Sequence, residues 1–599
     1  MGAIPHPDGA ATTFRVWAPA AAAVGVHGSY NGWGEAWGLQ AEGDGYWAGA
    51  VPGATVGSEY KFVITTAQGE ELMRNDPYAR EVTASDGNSV VPDPAFDWGG
   101  DDNRFQMPAW NELVIYELHV GTFHPHNDHE PGTFYGVMGK LSYLQGLGVN
   151  AIEIMPPTEF PGERSWGYNP SHPFALEVSY GGGRAFKALV KAAHDHGIAI
   201  ILDVVYNHFG PSHIPHWRFD GWHEGEGGGI YFYNDWRGKT PWGHTRPDFG
   251  RPEVRQYIRD NALMWLEDYR VDGLRTDALA YIRNVEGNED PATDLPEGWT
   301  LMQWLHEELK ARTPWKITIA EDLKGNALIT RPTQDGGQGF STQWDISFAH
   351  TIRRVVTAQR DEDRSMADLA QCIEHRYNGD AFQRVIYTES HDEVANGASR
   401  IPEQIMPGQA AHWFPKKRAT LGVAFALTAP GIPMLFQGQE LLEDGEFADT
   451  RPLQWNRLLK FFGLVTLYRD LITLRRNQRG TTRGLTGQGC RVHHVNDEGK
   501  LIAYLRWADG DEPTTPADAT LVVANCSGEA FTDYRLGLPT GGTWYVRFNS
   551  DWGGYDAEFG DFESLGLEAV AEEADGLSFS GSIGIGPYSV LILSQKAHQ

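Results

Sequence analysis

Four carboxylates stand where apolar runs stop. Ile201–Leu202 is followed by Asp203, Gly273–Thr276 by Asp277, and Ile317–Ala320 by Glu321, while Asp392 closes the stretch Tyr387–His391. A charge at the end of a buried run costs free energy unless it is paired or put to use. Arg275 lies two residues before Asp277, so on a strand both side chains share a face and Arg275 pairs with Asp277 and keeps it ionised. Such a set suits cleavage of a glycosidic bond. One carboxylate attacks the anomeric carbon, and a second carboxylic acid protonates the leaving oxygen and later deprotonates the acceptor. Close carboxylates raise the proton affinity of the acid. A third, Asp392, is placed to hold sugar hydroxyls as the ring flattens.

These residues need elements that bring them together. From about residue 110 short apolar runs alternate with amphipathic stretches. The expected strands are Leu113–Leu118, Ala151–Met155, Ala199–Val205, Gly273–Asp277, Ile317–Glu321, Val385–Thr388 and Ile432–Phe436. Between them Val137, Leu141, Leu144 and Leu147 recur at helical spacing, as do Phe186, Leu189, Val190 and Ala193, and Val254, Tyr257, Ile258 and Leu263. Strand–helix alternation of this length means stacked βαβ units, closed as a (β/α)8 barrel or left as an open sheet. No glycine-rich phosphate loop follows the first strand, which disfavours an open dinucleotide-binding sheet. In a barrel the C-terminal strand ends converge on one face, so Asp203, Asp277, Glu321 and Asp392 meet in one pocket. Residues 1–105 alternate in the manner of a β-sandwich, with Pro92–Asn103 as a linker; residues 106–480 form the barrel, ending in one long helix over Leu458–Arg476; residues 481–599 form a second β-sandwich.

The four segments resemble the four sequence regions of glycoside hydrolase family 13, the α-amylase superfamily: Asp203-Val-Val-Tyr-Asn207-His208, Gly273-Leu-Arg275-Thr-Asp277, Ala320-Glu321-Asp322 and Ser390-His391-Asp392. Their order and their strand-end positions both fit. The resemblance implies a (β/α)8 barrel with Asp277 as nucleophile, Glu321 as general acid/base and Asp392 as transition-state stabiliser. It further implies that Arg275, His208 and His391 contact the sugar or the nucleophile, and that Tyr168, in Trp166-Gly-Tyr-Asn-Pro170, stacks on that sugar. Asp203 either joins the substrate pocket or braces Arg275. Glu389 and Asp322, beside catalytic candidates, are expected to point away. Phe14–Pro19, Tyr30–Trp33, Tyr60–Phe62 and Asp76–Ala79 resemble the sandwich that precedes the barrel in branching enzymes, isoamylases and trehalohydrolases. Tyr534–Pro539 and Phe548–Asp551 resemble the C-terminal sandwich of glycogen branching enzymes. Ser179 stands where many members carry Arg, and Thr276 where an aromatic or aliphatic residue is usual; both bear on the subfamily and neither removes a catalytic group.

Three reactions share this machinery. The segments Ala320–Asp322, Glu389–Asp392 and the tail resemble 1,4-α-glucan branching enzymes, which transfer a cleaved chain to a 6-hydroxyl, and this is the first expectation. Tyr116–Phe123 and Asp203–Gly210 resemble malto-oligosyltrehalose trehalohydrolases, and a maltooligosaccharide-forming α-amylase is the third reading. A non-catalytic glucan-binding protein would have lost one of Asp277, Glu321 or Asp392, and all three are present. Trp33, Trp37 and Trp47 serve either a glucan-binding surface or the sandwich core.

The remaining composition limits the partners. Net charge is −30, from 49 basic and 79 acidic residues, which repels nucleic acid and anionic membrane surfaces but is indifferent to a neutral polymer such as an α-1,4-glucan. Cys372, Cys490 and Cys526 are odd in number and lack metal-type spacing, so neither a disulfide framework nor a metal site is expected, and no cofactor is required. The start, MGAIPHPDGA, has neither a basic nor an apolar region of a signal peptide, and Leu421–Phe436 is interrupted by Pro430, Gly431 and Pro433. The expectation is a soluble cytoplasmic protein.

Overall fold

Eight short strands hydrogen-bond in parallel into a closed barrel. They are β1 Ile115–Leu118, β2 Ala151–Ile154, β3 Ala199–Val204, β4 Gly273–Thr276, β5 Ile317–Ala320, β6 Thr342–Trp344, β7 Arg384–Ile386 and β8 Ile432–Phe436. Closure is the pairing of β8 with β1, Met434 opposite Ile115. The computed structural model describes residues 1–99, 105–127, 129–508, 510–513, 515 and 518–595. Both faces of each strand are buried, one toward the barrel axis and one under helices, which is why the runs read as continuously apolar. The helix Gly182–Asp195 buries Phe186, Leu189, Val190 and Ala193 on one face, and Pro252–Leu263, opened by proline at its first position, buries Val254, Tyr257, Ile258 and Leu263.

The barrel is the closure that the sequence left open against a flat sheet. One strand escaped the reading. Thr342–Trp344 has three residues and only one is apolar, so no period of two is visible in it. The expected long helix Leu458–Arg476 is two, Arg457–Lys460 and Phe462–Arg475, broken at Phe461 with φ −115° and ψ 28°. The break carries the Phe461 ring to 4 % exposure, between Leu459 at 87 % and Phe462 at 58 %. Burial of the ring outweighs continuity of the helix.

Before the barrel, two antiparallel sheets pack face to face. One contains Ala11–Trp17 and Tyr46–Pro52, the other Ala21–Gly28 and Glu59–Thr66. Phe14, Val16, Tyr60, Phe62 and Ile64 fill the space between them, and Glu59–Thr66 alternates buried and half-buried along its length. Of the linker Pro92–Asn103, residues 100–103 lie outside the described residues. The rest has no helix or strand but lies on the barrel wall: Arg270 covers the Trp98 ring at 4.3 Å, and Lys191 donates to Asp97 O at 2.9 Å. After the barrel, a six-stranded sheet containing Leu501–Trp507, Thr520–Asn525 and Ser589–Ser594 packs against the pair Phe531–Leu538 and Phe579–Ile585. A fully buried ion pair joins this sandwich to the barrel helix Trp413–Thr428: Lys417 Nζ meets Asp551 Oδ1 at 2.6 Å.

Candidate active site

The ladders stop one residue short of the key carboxylates. β4 ends at Thr276 and β5 at Ala320, so Asp277 and Glu321 are the first residues freed from strand geometry at the same end of the barrel. Ala278 turns away with φ 41°, and its N–H donates to Glu321 Oε2 at 2.6 Å. Between β2 and β3, the loop that carries Tyr168 turns at Gly167, with φ 97°; a Cβ there would lie 1.8 Å from Pro156 O, so only glycine lets the loop fold back on the end of β2.

Arg275 is the hub. Its side chain has no exposure, and its guanidinium meets Asp203 Oδ2 at 2.6 Å, Asp277 Oδ1 at 3.1 Å and Glu321 Oε2 at 3.0 Å. Burial works against its charge, but Asp203 and Glu321 more than compensate and hold the cation firmly protonated. Below it the Trp344 ring of β6 lies 4.4 Å from the guanidinium carbon. The Tyr168 hydroxyl donates to Asp203 Oδ2 at 2.7 Å, and the Tyr168 ring stacks on His391 at 5.0 Å and 22°. Asp203 therefore braces both Arg275 and Tyr168. Burial pushes its carboxyl up to about 7 against the pull of Arg275.

Glu321 is raised in proton affinity. Burial raises it first, Arg275 opposes, and the charges of Asp277 and Asp392 raise it further, to about 8. Asp277 is gripped from the other side by Asn207 Nδ2, which donates to Oδ2 at 2.7 Å. Asp392 is the open member, its side chain 46 % exposed, with His391 Nε2 at 3.4 Å. His391 Nδ1 donates to Glu117 Oε1 at 2.5 Å, and its backbone N–H donates to Glu117 Oε2 at 3.2 Å. Burial alone would lower His391, but Asp392 and Glu117 hold it up at about 9. His208 is buried and its imidazole lowered by that burial; Nε2 contacts Tyr168 O at 2.9 Å, and the ring stacks on Trp242 at 4.8 Å and 14°.

All eight site residues expected from the sequence thus come to one barrel end. Glu389 and Asp322 turn into ion pairs of their own, with Arg400 at 3.1 Å and Arg283 at 2.7 Å. The sequence reading passed over Glu117, Trp242 and Trp344, and gave Asn207 no role. Glu117 had a signal: a carboxylate between Tyr116 and Leu118 in an apolar strand is as anomalous as Asp203. Trp242 and Trp344 had none, one lying in a long loop and one on the unrecognised β6. On the N-terminal sandwich, Trp33 and Trp37 are 38 % and 49 % exposed, whereas Trp47 is tied inward by Nε1 donating to Ala18 O at 3.1 Å. Among the described residues no His, Cys, Asp and Glu side chains are grouped to hold a metal ion, and no helix is long and apolar enough to cross a membrane.

The sequence matches the family description "Alpha amylase, catalytic domain" over residues 89–226 and 244–461. The chain belongs to the α-amylase family. Residues 1–79 match carbohydrate-binding module 48, the isoamylase N-terminal domain, and residues 492–596 match the α-amylase C-terminal all-β domain. Among relatives, the 1,4-alpha-glucan branching enzyme GlgB of Pseudoalteromonas atlantica is 30 % identical, the alignment covering 98 % of this chain and 82 % of the relative. GlgB of Marinobacter nauticus is 31 % identical over 90 % and 87 %. Among solved structures, the pullulanase of Anoxybacillus sp. LM18-11 superposes with a TM-score of 0.74 at 21 % identity, covering all of this chain and 87 % of that one. The pullulanase of Paenibacillus barengoltzii superposes with a TM-score of 0.73 at 20 % identity, covering 100 % and 95 %. At these identities the two structures attest the fold alone.

Proposed function

We propose that this family member is a retaining 1,4-α-glucan branching enzyme. The observation that carries the chemistry is one guanidinium, Arg275, touching both Asp277 and Glu321. Double displacement needs two carboxyl groups close together, about 5–5.5 Å apart, one ionised and one protonated. Glu321, raised to about 8, keeps its proton at neutral pH, while Arg275 at 3.1 Å and Asn207 at 2.7 Å each direct a donor at the carboxylate of Asp277.

The steps follow from these roles. Asp277 attacks C1 of an α-1,4-linked glucosyl unit as Glu321 gives its proton to the departing 4-oxygen. The C1–O4 bond breaks and a C1–Oδ ester forms. A 6-hydroxyl of an acceptor glucan then attacks C1, Glu321 takes its proton, and Asp277 is released. Asp392, with cationic His391 at its side, holds hydroxyls of the flattened ring, while Tyr168 packs on its face. The choice of transfer over hydrolysis rests on likeness to branching enzymes along nearly the whole chain. A neutral glucan is also the polymer that a charge of −30 does not repel.

The test is incubation with linear amylose, following reducing ends and α-1,6 linkages together by proton NMR. New α-1,6 signals without a matching rise in reducing ends are expected. Reducing ends without new linkages would overturn the transfer reading and leave a hydrolase; trehalose-capped maltooligosaccharide would then separate trehalohydrolase from amylase.

A further inference from the structure

We propose that Glu153 is a positioning residue for Asp392: as an undissociated carboxylic acid inside the barrel it donates its proton to the Glu117 carboxylate and so fixes the anchor of His391. Glu153 lies on β2 in register with Glu117 of β1, and the two residues pair directly across the ladder. Neighbouring strands stand about 4.8 Å apart. Two positions back on each strand, Ile115 and Ala151 pack with Ile201, Ile319 and Met434 in the barrel interior. Side chains alternate along a strand, so Glu117 and Glu153 project into that same interior. Both residues are 1 % exposed.

Charge decides which of the two keeps a proton. Glu117 Oε1 faces His391 Nδ1 at 2.5 Å, and Oε2 accepts the His391 backbone N–H at 3.2 Å. Glu153 has no such partner. Its Oε2 is sealed from solvent and receives no donor among the described residues. The charged groups that face it are Glu117 from β1, Asp203 from β3, Arg275 from β4 and His391 from the loop after β7. Arg275 is shared among Asp203, Asp277 and Glu321, and His391 lies between Glu117 and Asp392. An anion at Glu153 would stand beside Glu117 with no donor of its own. Burial first, and then Glu117, push the Glu153 carboxyl well above the ordinary carboxylate range. A buried carboxyl oxygen that receives no donor is accounted for when the group carries the proton itself. That O–H needs an acceptor, and Glu117 is the carboxylate in register with it.

The contacts run on to the reacting ring. Beyond Glu117, His391 Nε2 is 3.4 Å from Asp392 Oδ2, and the His391 ring stacks on Tyr168 at 5.0 Å. A donor behind Glu117 holds its carboxylate in one orientation and weakens its pull on the imidazole proton. Without that donor Glu117 is free to turn and binds the proton more tightly.

Glu153→Gln and Glu153→Met, both close to the parent in length, are made in the full chain. They are read by 13C-histidine NMR, by the infrared carboxyl band of 13C-glutamate-labelled protein, and by kcat and KM on amylose. The parent should show a protonated-carboxyl band at neutral pH that Glu153→Gln lacks. Glu153→Gln removes no charge and keeps a donor, so His391 should titrate where it does in the parent. Glu153→Met loses the donor, and His391 should titrate higher by roughly half to one pH unit. Its kcat should drop by about tenfold with KM changed by less than about twofold, and glutamine should recover most of that loss. A His391 titration lowered in Glu153→Gln would make Glu153 an anion and overturn the proposal, as would glutamine and methionine variants that titrate alike. Should Glu153→Met not fold, the infrared band and the Glu153→Gln titration decide. The effect on kcat rests on the role proposed for Asp392; the band and the titration depend on the barrel interior alone, so they stand or fall separately from the branching reading.

Discussion

Glu117→Gln tests how the site sets the charge of His391. The substitution keeps size and an acceptor oxygen but removes the negative charge that faces His391 Nδ1 at 2.5 Å, where both side chains are at most 2 % exposed. Hydrogen bonds to charged partners contribute roughly 1.5–3 kcal/mol against roughly 0.5–1.5 kcal/mol for neutral ones, so the lost difference is about one pKa unit or slightly more. His391, held up at about 9 by Asp392 and Glu117 against burial, should fall by that amount. The effect on stability has a definite sign. A histidine raised from 6.5 to about 9 adds stability that is complete below pH 6.5 and is lost as pH rises through about 9. Over that window the contribution is about 3 kcal/mol, and Glu117→Gln should reduce it by about 1 kcal/mol or more. The assay is a 13C-histidine NMR titration, with the resonance assigned through His391→Gln, run beside the pH profile of kcat/KM. The expected outcome is a downward shift of the imidazole titration, while the alkaline limb of the profile, set by Glu321 at about 8, reports on activity separately. A His391 that titrates at the same pH in parent and variant would refute the account, whatever happened to overall activity.

Other outcomes follow from the same geometry. Asp277→Asn and Glu321→Gln should each cut turnover of amylose by about a thousandfold or more without loss of fold, checked by circular dichroism; near-parental activity in either sinks the roles given to them. With Glu321 raised to about 8, parental kcat/KM should fall as pH rises through that value, and Asp392→Asn, which removes one of the charges raising Glu321, should move this limb to lower pH. Glu440 is buried, accepts the Tyr116 and Tyr143 hydroxyls at 3.0 Å each, and is raised to about 7 by burial. The parental fold therefore loses stability as pH climbs from the ordinary carboxylate range through 7, and Glu440→Gln should be better off by about 3 kcal/mol at pH 8 than at pH 4, read as a change in urea midpoint; equal effects at both pH values would contradict this. Lys417→Met leaves Asp551 buried beside the C-terminal sandwich and should cost about 3–5 kcal/mol in the unfolding that separates the two parts; a cost below about 0.5 kcal/mol would show that the pair does not couple them.

How legible all this was depended on length and periodicity. Seven of the eight barrel strands announce themselves as apolar runs, because a strand buried on both faces needs apolar residues throughout. Thr342–Trp344 did not, since three residues with one apolar side chain carry no pattern, and only closure of the neighbours around the axis makes it a strand. The helix break at Phe461 was equally hidden, being decided by which ring the neighbouring core accepts.

The candidate site divides along the same line. Residue types and chain order by themselves determined the family, the three carboxylates and their hub, because Arg275 and Asp277 share a strand face in any fold that keeps them extended. Tertiary structure alone decided what each charge meets. Glu117 and His391 are 274 positions apart in sequence, and Asp203 and Arg275 are 72 apart, yet parallel register and barrel closure bring each pair into contact. Burial at that convergence then raises the proton affinity of Glu321. Sequence fixes which groups are available; the distances and the loss of water that tune them arise only when the eight strand ends meet.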